Sequence, residues 1–222
     1  MGKRVDGASN SVTQVVDGLR EAIKIGRYSP GHRLTEVELT EAYGVSRGPV
    51  REALGRLESE GLIEITRHRG ATVRQMTREN VAELFVAREI LEGGAARLAA
   101  GNIDVGDHRA QLEHQMRETV RLAEAEDGRA YADANEAFHG LIIAIAGNSV
   151  VGGLAEQLQT RTQRILYVQF ISLARVRASA AHHERIANAI LAGQGDRAEK
   201  AMRRHIRETA ADVLSSSDAW FR

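Results

Sequence analysis

Residues 43–64, YGVSRGPVREALGRLESEGLIE, decide the fold of the first third of this sequence. Gly44 can end one helix, because glycine adopts the left-handed conformation that closes a helix without strain. Ser46 is a favoured residue at the start of the next helix, and Pro49 is tolerated in its first turn. Gly61 ends that helix, whose predicted inward-facing residues are Val50, Ala53, Leu54 and Leu57. The stretch therefore predicts a helix, a tight turn and a second helix.

The residues on either side extend this unit into a larger domain. Apolar residues at helical spacing predict a first helix over residues ~11–26, and Thr35 with Glu38 forms a capping box that begins the second helix. Beyond Gly61, the segments LIEIT and ATVRQ alternate as two strands of a hairpin around the turn RHRG. Three helices and a hairpin predict a winged helix-turn-helix in residues 1–76.

The remainder of the chain, residues 77–222, shows helical periodicity almost throughout. We predict six helices there, at about 78–100, 106–126, 129–146, 149–172, 176–193 and 196–215. Asp196 and Glu199 repeat the capping pattern and are predicted to begin the last helix. The fold class is therefore mostly α: a winged helix-turn-helix followed by an all-α antiparallel helical bundle.

The composition limits the classes of function. The 222 residues include 30 Lys/Arg and 30 Asp/Glu, so DNA binding would need a local concentration of positive charge. Cysteine is absent, which excludes disulfides and thiol chemistry. No apolar run approaches the ~18 residues that span a bilayer, and the first residues lack a signal-peptide core. We expect a soluble, cytoplasmic protein without a membrane partner.

The third helix carries a candidate surface for double-stranded DNA. The second helix of a helix-turn-helix enters the major groove by its N-terminal end, where this sequence places Arg47 and Arg51 on one side. Ser46 can donate to a phosphate, and Gly48 keeps the surface between the arginines low. The wing residues that could reach phosphates or the minor groove are Arg67, His68, Arg69 and Gly70. The alternative is that the arginines are two solvated charges on an amphipathic helix.

Three histidines of the bundle form a candidate metal site. Asn135 and His139 are four residues apart, so both point the same way from one helix. His183 and His205 are equidistant from residue 194, the middle of the predicted loop, and would lie side by side in an antiparallel hairpin. Three imidazoles and an amide oxygen could hold a divalent metal. The alternative is three separately satisfied core histidines. We leave His182 out, because it points about 100° away from its neighbour on a helix.

The first 76 residues strongly resemble the DNA-binding domain of the GntR family of bacterial transcription regulators. The resemblance lies in PGHRLTEVELTEAYGVSRGPVREALGRLESEGLIE followed by RHRGATV, and covers roughly residues 11–76. It implies that Arg47 and Arg51 contact operator bases, that the wing contacts the minor groove, and that the protein binds short palindromes as a homodimer.

Residues 77–214 look like the FCD effector domain of the FadR branch of that family, in the segments VAREILEGGAARLAA, NEAFHGLIIAIAGN and HERIANAILAGQGDRAEKAMRRHI. The resemblance implies a metal held by the ligand set Asn135, His139, His183 and His205. We expect zinc, with nickel or manganese as alternatives. The family pattern has aspartate where this chain has Asn135, and a neutral amide offers less charge to the cation.

The resemblance also implies a small carboxylate effector, held partly by the metal. Arg88 lies on a core-facing stripe of the bundle's first helix and is the residue we expect to clamp that carboxylate. Arg164, and with less support Arg161, could act similarly. The alternative for Arg88 is a buried ion pair, with Glu92 or another glutamate.

These observations predict a DNA-binding transcription regulator, expected to be a repressor, whose operator binding responds to a small organic acid. One alternative is a metal-free regulator of the same family with a lipid-type effector. Another is a metal-dependent hydrolase or isomerase, which would need an open metal position and a general base. No unpaired acidic residue is evident beside the histidines, and an enzyme would leave residues 43–74 unexplained.

Overall fold

The structure is a computed structural model that describes residues 5–66, 70–169, 172–215 and 221, with the side chains of residues 5–10 and 163–169 left aside. The chain divides into two compact units, Met1–Met76 and Thr77–Ala219. Within the described ranges, no helix is both long enough and apolar enough to cross a membrane.

The first unit contains three helices: α1 (Val5–Lys24), α2 (Glu36–Tyr43) and α3 (Arg47–Ser59). Thr35 caps α2 by accepting a hydrogen bond from the backbone N–H of Glu38, as the capping box predicted. Gly44 ends α2 with a φ of 64°, in the left-handed region where glycine is favoured. Ser46 occupies the N-cap position of α3, but its side chain makes no capping hydrogen bond.

A three-stranded antiparallel sheet completes the first unit. Its strands are β1 (Arg33–Leu34), β2 (Ile63–Thr66) and β3 (Gly70–Val73), in the order β1-β3-β2. The predicted hairpin is β2 and β3, with Ile63 opposite Val73. The two-residue β1 was not predicted, because two residues are too few to show the alternation that marks a strand. The unit is a winged helix-turn-helix.

The core of the first unit is apolar. Side chains from all three helices meet those of the sheet, and Leu19, Val50 and Leu57 are fully enclosed. Val50, Ala53, Leu54 and Leu57 form the buried side of α3, as the spacing predicted. This packing leaves the opposite side of α3 facing outward.

The second unit is a helical bundle, and no strand occurs among its described residues. Its helices are α4 (Arg78–Gly101), α5 (His108–Glu124), α6 (Gly128–Ile145), α7 (Ser149–Gln169), α8 (Leu173–Leu191) and α9 (Gly195–Leu214). Thr77 and Asn80 form a reciprocal capping box at the start of α4. The predicted helices match these bounds within three residues at each end.

One predicted cap in the bundle is wrong. The N-cap of α9 is Gln194, and no side-chain hydrogen bond caps this helix. Asp196 and Glu199 form ion pairs with Arg97 of α4 instead. A cross-helix arginine therefore outcompetes the local cap for these carboxylates.

Helix α4 packs closely against α9 at the centre of the bundle. A side chain at Gly93 of α4 would meet Arg203 of α9, because a Cβ atom built there lies 2.7 Å from the Arg203 Cγ. This close approach holds α4 against α9.

Candidate nucleic-acid interface and candidate metal centre

The N-terminal end of α3 presents its charged residues to solvent. Ser46, Arg47, Gly48 and Arg51 are all exposed, on the opposite side from the buried residues of α3. A Cβ atom at Gly48 would meet nothing within 4 Å, so the surface between the arginines is open. The unsatisfied backbone N–H groups and positive dipole end of the helix add to the attraction for phosphate.

Arg51 has a partner on the neighbouring helix. Its Nε lies 2.7 Å from Oε1 of Glu36, at the start of α2. The hydrogen bond from Arg51 is the main cause of a lowered pKa of the Glu36 carboxyl. The pair is solvent-exposed, with 67% of the Arg51 side chain accessible. It therefore holds the guanidinium in place, but breaking it costs little free energy.

The wing can be described only in part. Gly70 begins β3, is exposed and has a φ of 86°, a backbone conformation that other residues adopt only with strain. The predicted wing contacts Arg67, His68 and Arg69 lie outside the described residues.

The structure brings three of the predicted residues of the bundle together. His139 of α6, His183 of α8 and His205 of α9 each offer a ring nitrogen, and these nitrogens lie within 4.8 Å of one another. All three side chains are buried. The ring centroids of His183 and His205 are 4.9 Å apart, so the two histidines are neighbours across the α8–α9 hairpin, as the loop arithmetic indicated. We call these three residues the histidine cluster.

The dimensions of the histidine cluster suit a tetrahedral metal. Nε2 of His139 and Nε2 of His205 are 3.2 Å apart. Two nitrogens that each lie about 2.0–2.1 Å from a tetrahedral zinc ion are about 3.3 Å from each other. The same distance also suits an N–H···N hydrogen bond, so the distance alone does not distinguish a metal from a proton.

The surroundings of His183 are a second observation that favours a bound ion. Both of its ring nitrogens are buried and have no hydrogen-bond partner among the described residues. Its ring stacks on Phe138, with centroids 4.2 Å apart, which leaves no polar group on that side. A buried imidazole without partners costs free energy unless a ligand satisfies it. This residue is the one most in need of an ion.

Burial keeps two members of the histidine cluster neutral. The pKa values of His183 and His205 are both well below the ordinary histidine value, first because the rings are desolvated and then because other histidines surround them. Neutral imidazoles offer lone pairs, which a divalent metal needs.

Asn135 is buried and lies one turn before His139 on the same side of α6. Its amide oxygen is the remaining candidate ligand of the predicted set. Amide oxygen is a harder ligand than imidazole and brings no charge, so three histidines with Asn135 would leave the full charge of a divalent ion uncompensated.

Arg88 is a buried ion pair, the alternative that the sequence left open. Its Nε donates to Oε1 of Glu92 at 2.7 Å, one terminal N–H donates to the Thr162 hydroxyl at 3.2 Å, and the guanidinium carbon lies 5.3 Å from the Phe85 ring centre. Only 3% of the Arg88 side chain is accessible. Of the other candidates for an effector clamp, Arg161 is half-buried, and the side chain of Arg164 lies outside the described residues.

The sequence showed no unpaired acidic residue beside the histidines, and the acidic residue that the structure places there, Glu92, is paired with Arg88. Oε2 of Glu92 is 2.6 Å from Nδ1 of His139. Burial raises the pKa of the Glu92 carboxyl, but attraction and hydrogen bonds from Arg88 and His139 outweigh burial and lower it to about 2. Periodicity placed Glu92 inside the bundle but could not tell that it reaches α6 as well as Arg88.

His182 lies outside the histidine cluster, as the sequence predicted, but its ring contacts that cluster. Nδ1 of His182 lies 3.4 Å from Nδ1 of His205, and its Nε2 lies 3.0 Å from Oε2 of Glu208. A turn of 100° around α8 still leaves the His182 ring facing α9. The loop arithmetic did not contain this signal, because reflection about residue 194 pairs residue 182 with residue 206.

The geometry of the two units defines a class of protein. A winged helix-turn-helix with two arginines at the leading end of α3 is a DNA-binding module, and a separate helical bundle encloses a polar site. The chain belongs to the gntR family of bacterial regulatory proteins, whose family model matches residues 11–73, and the FCD domain model matches residues 83–208. It is a DNA-binding regulator of transcription.

Relatives with similar sequences align with this chain along most of their length. The chain is 30% identical to the HTH-type transcriptional repressor RspR of Escherichia coli K12, over 94% of this chain and 92% of that protein. It is 32% identical to the HTH-type transcriptional regulator LutR of Bacillus subtilis, over 87% of this chain and 96% of that protein. The solved structure of E. coli McbR/YncC aligns with a TM-score of 0.79 and 25% identity, over 91% of this chain and 96% of that one.

Proposed function

We propose that this protein is a repressor that binds a palindromic operator as a homodimer and responds to a small carboxylate held at a metal ion in its bundle. The observation that carries the proposal is the pairing of two sites in one chain: exposed arginines on a groove-entering helix, and a buried histidine cluster whose ring nitrogens lie within 4.8 Å of one another. RspR, a relative along nearly the whole chain, is named a repressor, which supports the same direction of control here.

Operator recognition falls to the leading end of α3. Arg47 and Arg51 supply bidentate donors for guanine in the major groove. The Ser46 hydroxyl makes no capping bond, so it can donate to a phosphate, and Gly48 lets the helix approach the bases. The wing residues Arg67, His68, Arg69 and Gly70 are proposed, on sequence grounds, to contact phosphates or the minor groove.

The histidine cluster fits a divalent metal, and zinc suits three imidazoles best. His139, His183 and His205 would hold it through nitrogen, and Asn135 through its amide oxygen. Nickel and manganese are the alternatives. The neutral ligand set would not cancel the positive charge of the bound ion. That charge would attract a carboxylate. Arg88 is engaged with Glu92, so its part in effector binding requires an exchange of partners.

The homodimer is supported by the exposed side of the bundle. Val86 and Ile90 lie one turn apart on α4, and Val150 and Leu154 lie one turn apart on α7. Between 48% and 71% of each side chain is accessible. Helices α4 and α7 pack together, as the hydrogen bond between Arg88 and Thr162 requires. Burial of these residues against a second copy would remove apolar area from water.

Control of DNA binding then depends on coupling between the two units. Effector binding favours one arrangement of the bundle, and the segment at Met76–Arg78 transmits this to the DNA-binding units of the dimer. A coupling free energy of about 1–3 kcal/mol is enough for a working switch.

An enzyme is the second candidate, and one observation speaks against it. The acidic group that contacts the histidine cluster is Glu92, whose pKa of about 2 makes it a weak base. Both of its oxygens are already engaged, by Arg88 and His139. A metal-dependent hydrolysis at this site would lack its general base.

The proposal is tested by DNA binding with a defined set of additions. Fluorescence anisotropy would compare a fragment from upstream of the protein's own gene with a scrambled fragment, with zinc present or chelated and with a panel of small mono- and dicarboxylates. We expect specific binding that one acid weakens only when zinc is present. Equal affinity for both fragments would refute the operator claim. An acid response that survives chelation would favour the metal-free regulator.

A further inference from the structure

Four polar contacts in the bundle form one continuous chain of side chains, from the buried carboxylate of Glu92 to the partly exposed carboxylate of Glu208. Its four contacts are Glu92 Oε2 to His139 Nδ1 at 2.6 Å, His139 Nε2 to His205 Nε2 at 3.2 Å, His205 Nδ1 to His182 Nδ1 at 3.4 Å, and His182 Nε2 to Glu208 Oε2 at 3.0 Å. We call it the glutamate-to-glutamate chain. Its inner end has 1% of the Glu92 side chain accessible, and its outer end has 44% of Glu208 accessible.

The two carboxylates decide where the protons of this chain lie. An ionised carboxylate only accepts hydrogen bonds, so the histidine nitrogen that faces it must carry the hydrogen. Glu92 therefore requires a proton on Nδ1 of His139. Glu208 requires one on Nε2 of His182, and its own ionised form is favoured by a hydrogen bond from Arg204. The remaining nitrogens of these two rings, when neutral, carry lone pairs.

His205 completes the assignment. The single hydrogen of a neutral His205 can lie on Nε2, donating to His139, or on Nδ1, donating to the lone pair on Nδ1 of His182. An ion at the histidine cluster selects the second arrangement. Nε2 of His205 is then left with a lone pair. It faces the lone pair on Nε2 of His139 at 3.2 Å. Both lone pairs meet inside the histidine cluster, beside the unsatisfied nitrogens of His183.

A count of protons leads to the same result. The chain has four contacts, and each needs one hydrogen to be a hydrogen bond. Imidazoles that bind a metal are neutral, so with an ion at the cluster the three rings supply three hydrogens, and ionised glutamates supply none. One contact is therefore without a hydrogen. Bonds to carboxylates are the strong ones, so the deficit falls on a contact between rings. A cation between His139 and His205 replaces the missing hydrogen and leaves every other contact satisfied.

We propose that Glu92, His182 and Glu208 are positioning residues that set the histidine tautomers, so that Nε2 of His139 and Nε2 of His205 both present lone pairs to a metal ion. This inference rests on the proposed metal site and goes beyond it, because it assigns three residues that do not touch the ion. Such outer partners orient ligand rings and commonly change metal affinity 10- to 100-fold.

Arg88 takes a part in this arrangement. Its Nε donates to Oε1 of Glu92, which leaves Oε2 for His139. The Thr162 hydroxyl holds the same guanidinium from α7. Glu92 is thereby fixed from one side and kept ionised, so that it cannot itself donate to His139. Arg88 thus supports the inner end of the chain as Arg204 supports the outer end.

The outer end offers the cleaner experiment, because Glu208 is partly exposed and its replacement leaves no charge buried without a partner. Glu208→Gln turns a charged acceptor into a neutral amide that can also donate to His182, so the opposite tautomers become accessible. The matched control is Glu184→Gln, which removes the same charge from the exposed side of α8. We expect zinc affinity, measured by competition with a chelating dye, to fall about tenfold in Glu208→Gln and to stay unchanged in the control.

Tautomers can be read directly in the full chain with zinc present. Long-range ¹H–¹⁵N correlation spectra distinguish protonated from unprotonated imidazole nitrogens. We expect Nδ1 to be protonated and Nε2 unprotonated in both His139 and His205 of the wild type, with a shift towards the opposite form at His205 in Glu208→Gln. Protonated Nε2 on both rings of the wild type would overturn the proposal whether or not zinc binds.

The inner end is tested with Glu92→Gln, which keeps an acceptor for His139 but deprives the buried Arg88 of its counter-charge. If this variant does not fold, Glu208→Gln and the tautomer measurement still decide. Equal zinc affinity of Glu208→Gln and Glu184→Gln, in a protein that loses zinc on His183→Ala, would refute the positioning role and leave the metal site standing. Zinc affinity unaffected by His183→Ala would instead refute the metal site.

Discussion

The two units of this protein place arginine in opposite environments. Arg51 of the first unit has 67% of its side chain accessible and one exposed partner, Glu36. Arg88 of the second unit has 3% accessible and three partners, Glu92, Thr162 and the face of Phe85. An exposed arginine can exchange its partner for a base edge, whereas a buried one is part of the structure that surrounds a ligand. One unit therefore exposes its arginine to solvent, and the other encloses it.

The cores of the units differ in the same sense. Among the described residues of the first unit, every buried side chain is apolar, whereas the second unit buries an arginine, a glutamate, an asparagine and three histidines. Breaking an exposed ion pair costs about 0–1 kcal/mol, but removing one partner of a buried pair costs about 3–5 kcal/mol. Binding and stability can therefore be separated by mutation in the first unit, but in the second they must be measured together.

The largest effect is expected at His183, which tests whether the interior of the second unit is a metal site. His183→Ala removes the imidazole that has no hydrogen-bond partner among the described residues. We therefore expect the affinity of the protein for zinc to fall by more than about 100-fold. Operator binding should survive, because the arginines lie in the other unit. Metal content after mild chelation and operator affinity are the two measurements.

The control for this substitution is His114→Ala, which removes an exposed histidine of α5 outside the cluster. It should retain zinc like the wild type. If His183→Ala and His114→Ala hold zinc equally well, the histidine cluster is ordinary core, and the difference between the two units is only one of packing.

Arg47 and Arg51 carry the next largest effect. Either arginine replaced by alanine should weaken specific operator binding by about 1–3 kcal/mol, since each loses donors to base edges. The melting temperature should change little, because both side chains are exposed. Anisotropy titrations against the operator and a scrambled fragment separate lost specificity from lost charge.

Arg56→Ala is the matched control on the same helix. Arg56 is exposed and paired with Glu52, about 140° around α3 from Arg51. We expect unchanged sequence preference in this variant. An equal loss of affinity in Arg56→Ala and Arg51→Ala would mean that DNA senses only the charge of α3.

Asn135→Asp in the second unit is expected to raise zinc affinity, the opposite of the effect of His183→Ala. A carboxylate beside His139 adds a full negative charge to the neutral ligand set, so zinc should bind about tenfold more tightly. The same charge should weaken an anionic effector. Zinc competition and effector titration of DNA binding would show opposite changes. If zinc affinity does not change, residue 135 is not a ligand.

The sequence predicted the first unit almost completely because its signals are local. Gly44 is left-handed, Thr35 caps α2, and the buried side of α3 follows from a helical period. Such features depend on residues a few positions apart. The two-residue β1 escaped, because it exists only through its pairing with β3.

The interior of the second unit was predictable only where symmetry helped. Equal distance from residue 194 predicted that His183 lies beside His205, but the same rule pairs residue 182 with residue 206 and so missed the contact with Glu208. Glu92 had no such signal, because its contact with His139 joins residues of α4 and α6 that are 47 positions apart in the sequence. Asp196 and Glu199 show the converse, since a local capping signal lost to Arg97 from another helix.

A smaller effect is expected from two glycines of α3, which separate fold from binding within the first unit. A Cβ atom at Gly48 or Gly55 would meet nothing within 4 Å. Alanine at either position should stabilise the helix by up to about 1 kcal/mol, measured by thermal melting. Only Gly48→Ala should weaken operator binding, because Gly48 lies between the arginines and Gly55 lies two turns further along. Equal operator affinity in both variants would mean that DNA does not approach the leading end of α3 closely.

The smallest effect is expected at Glu36, the exposed partner that distinguishes Arg51 from Arg88. Glu36 engages the Arg51 Nε, and its negative charge would lie near the incoming phosphates. Glu36→Gln should therefore tighten operator binding, by less than about 1 kcal/mol because the pair is solvated. Glu52→Gln removes the same charge from the pair with Arg56 and serves as the control. A salt titration of both variants would check the result, since a general gain of positive charge should strengthen binding equally in both. Weaker binding by Glu36→Gln alone would mean that Glu36 orients Arg51 for the groove, and the exposed arginine would then be as dependent on its carboxylate as the buried one.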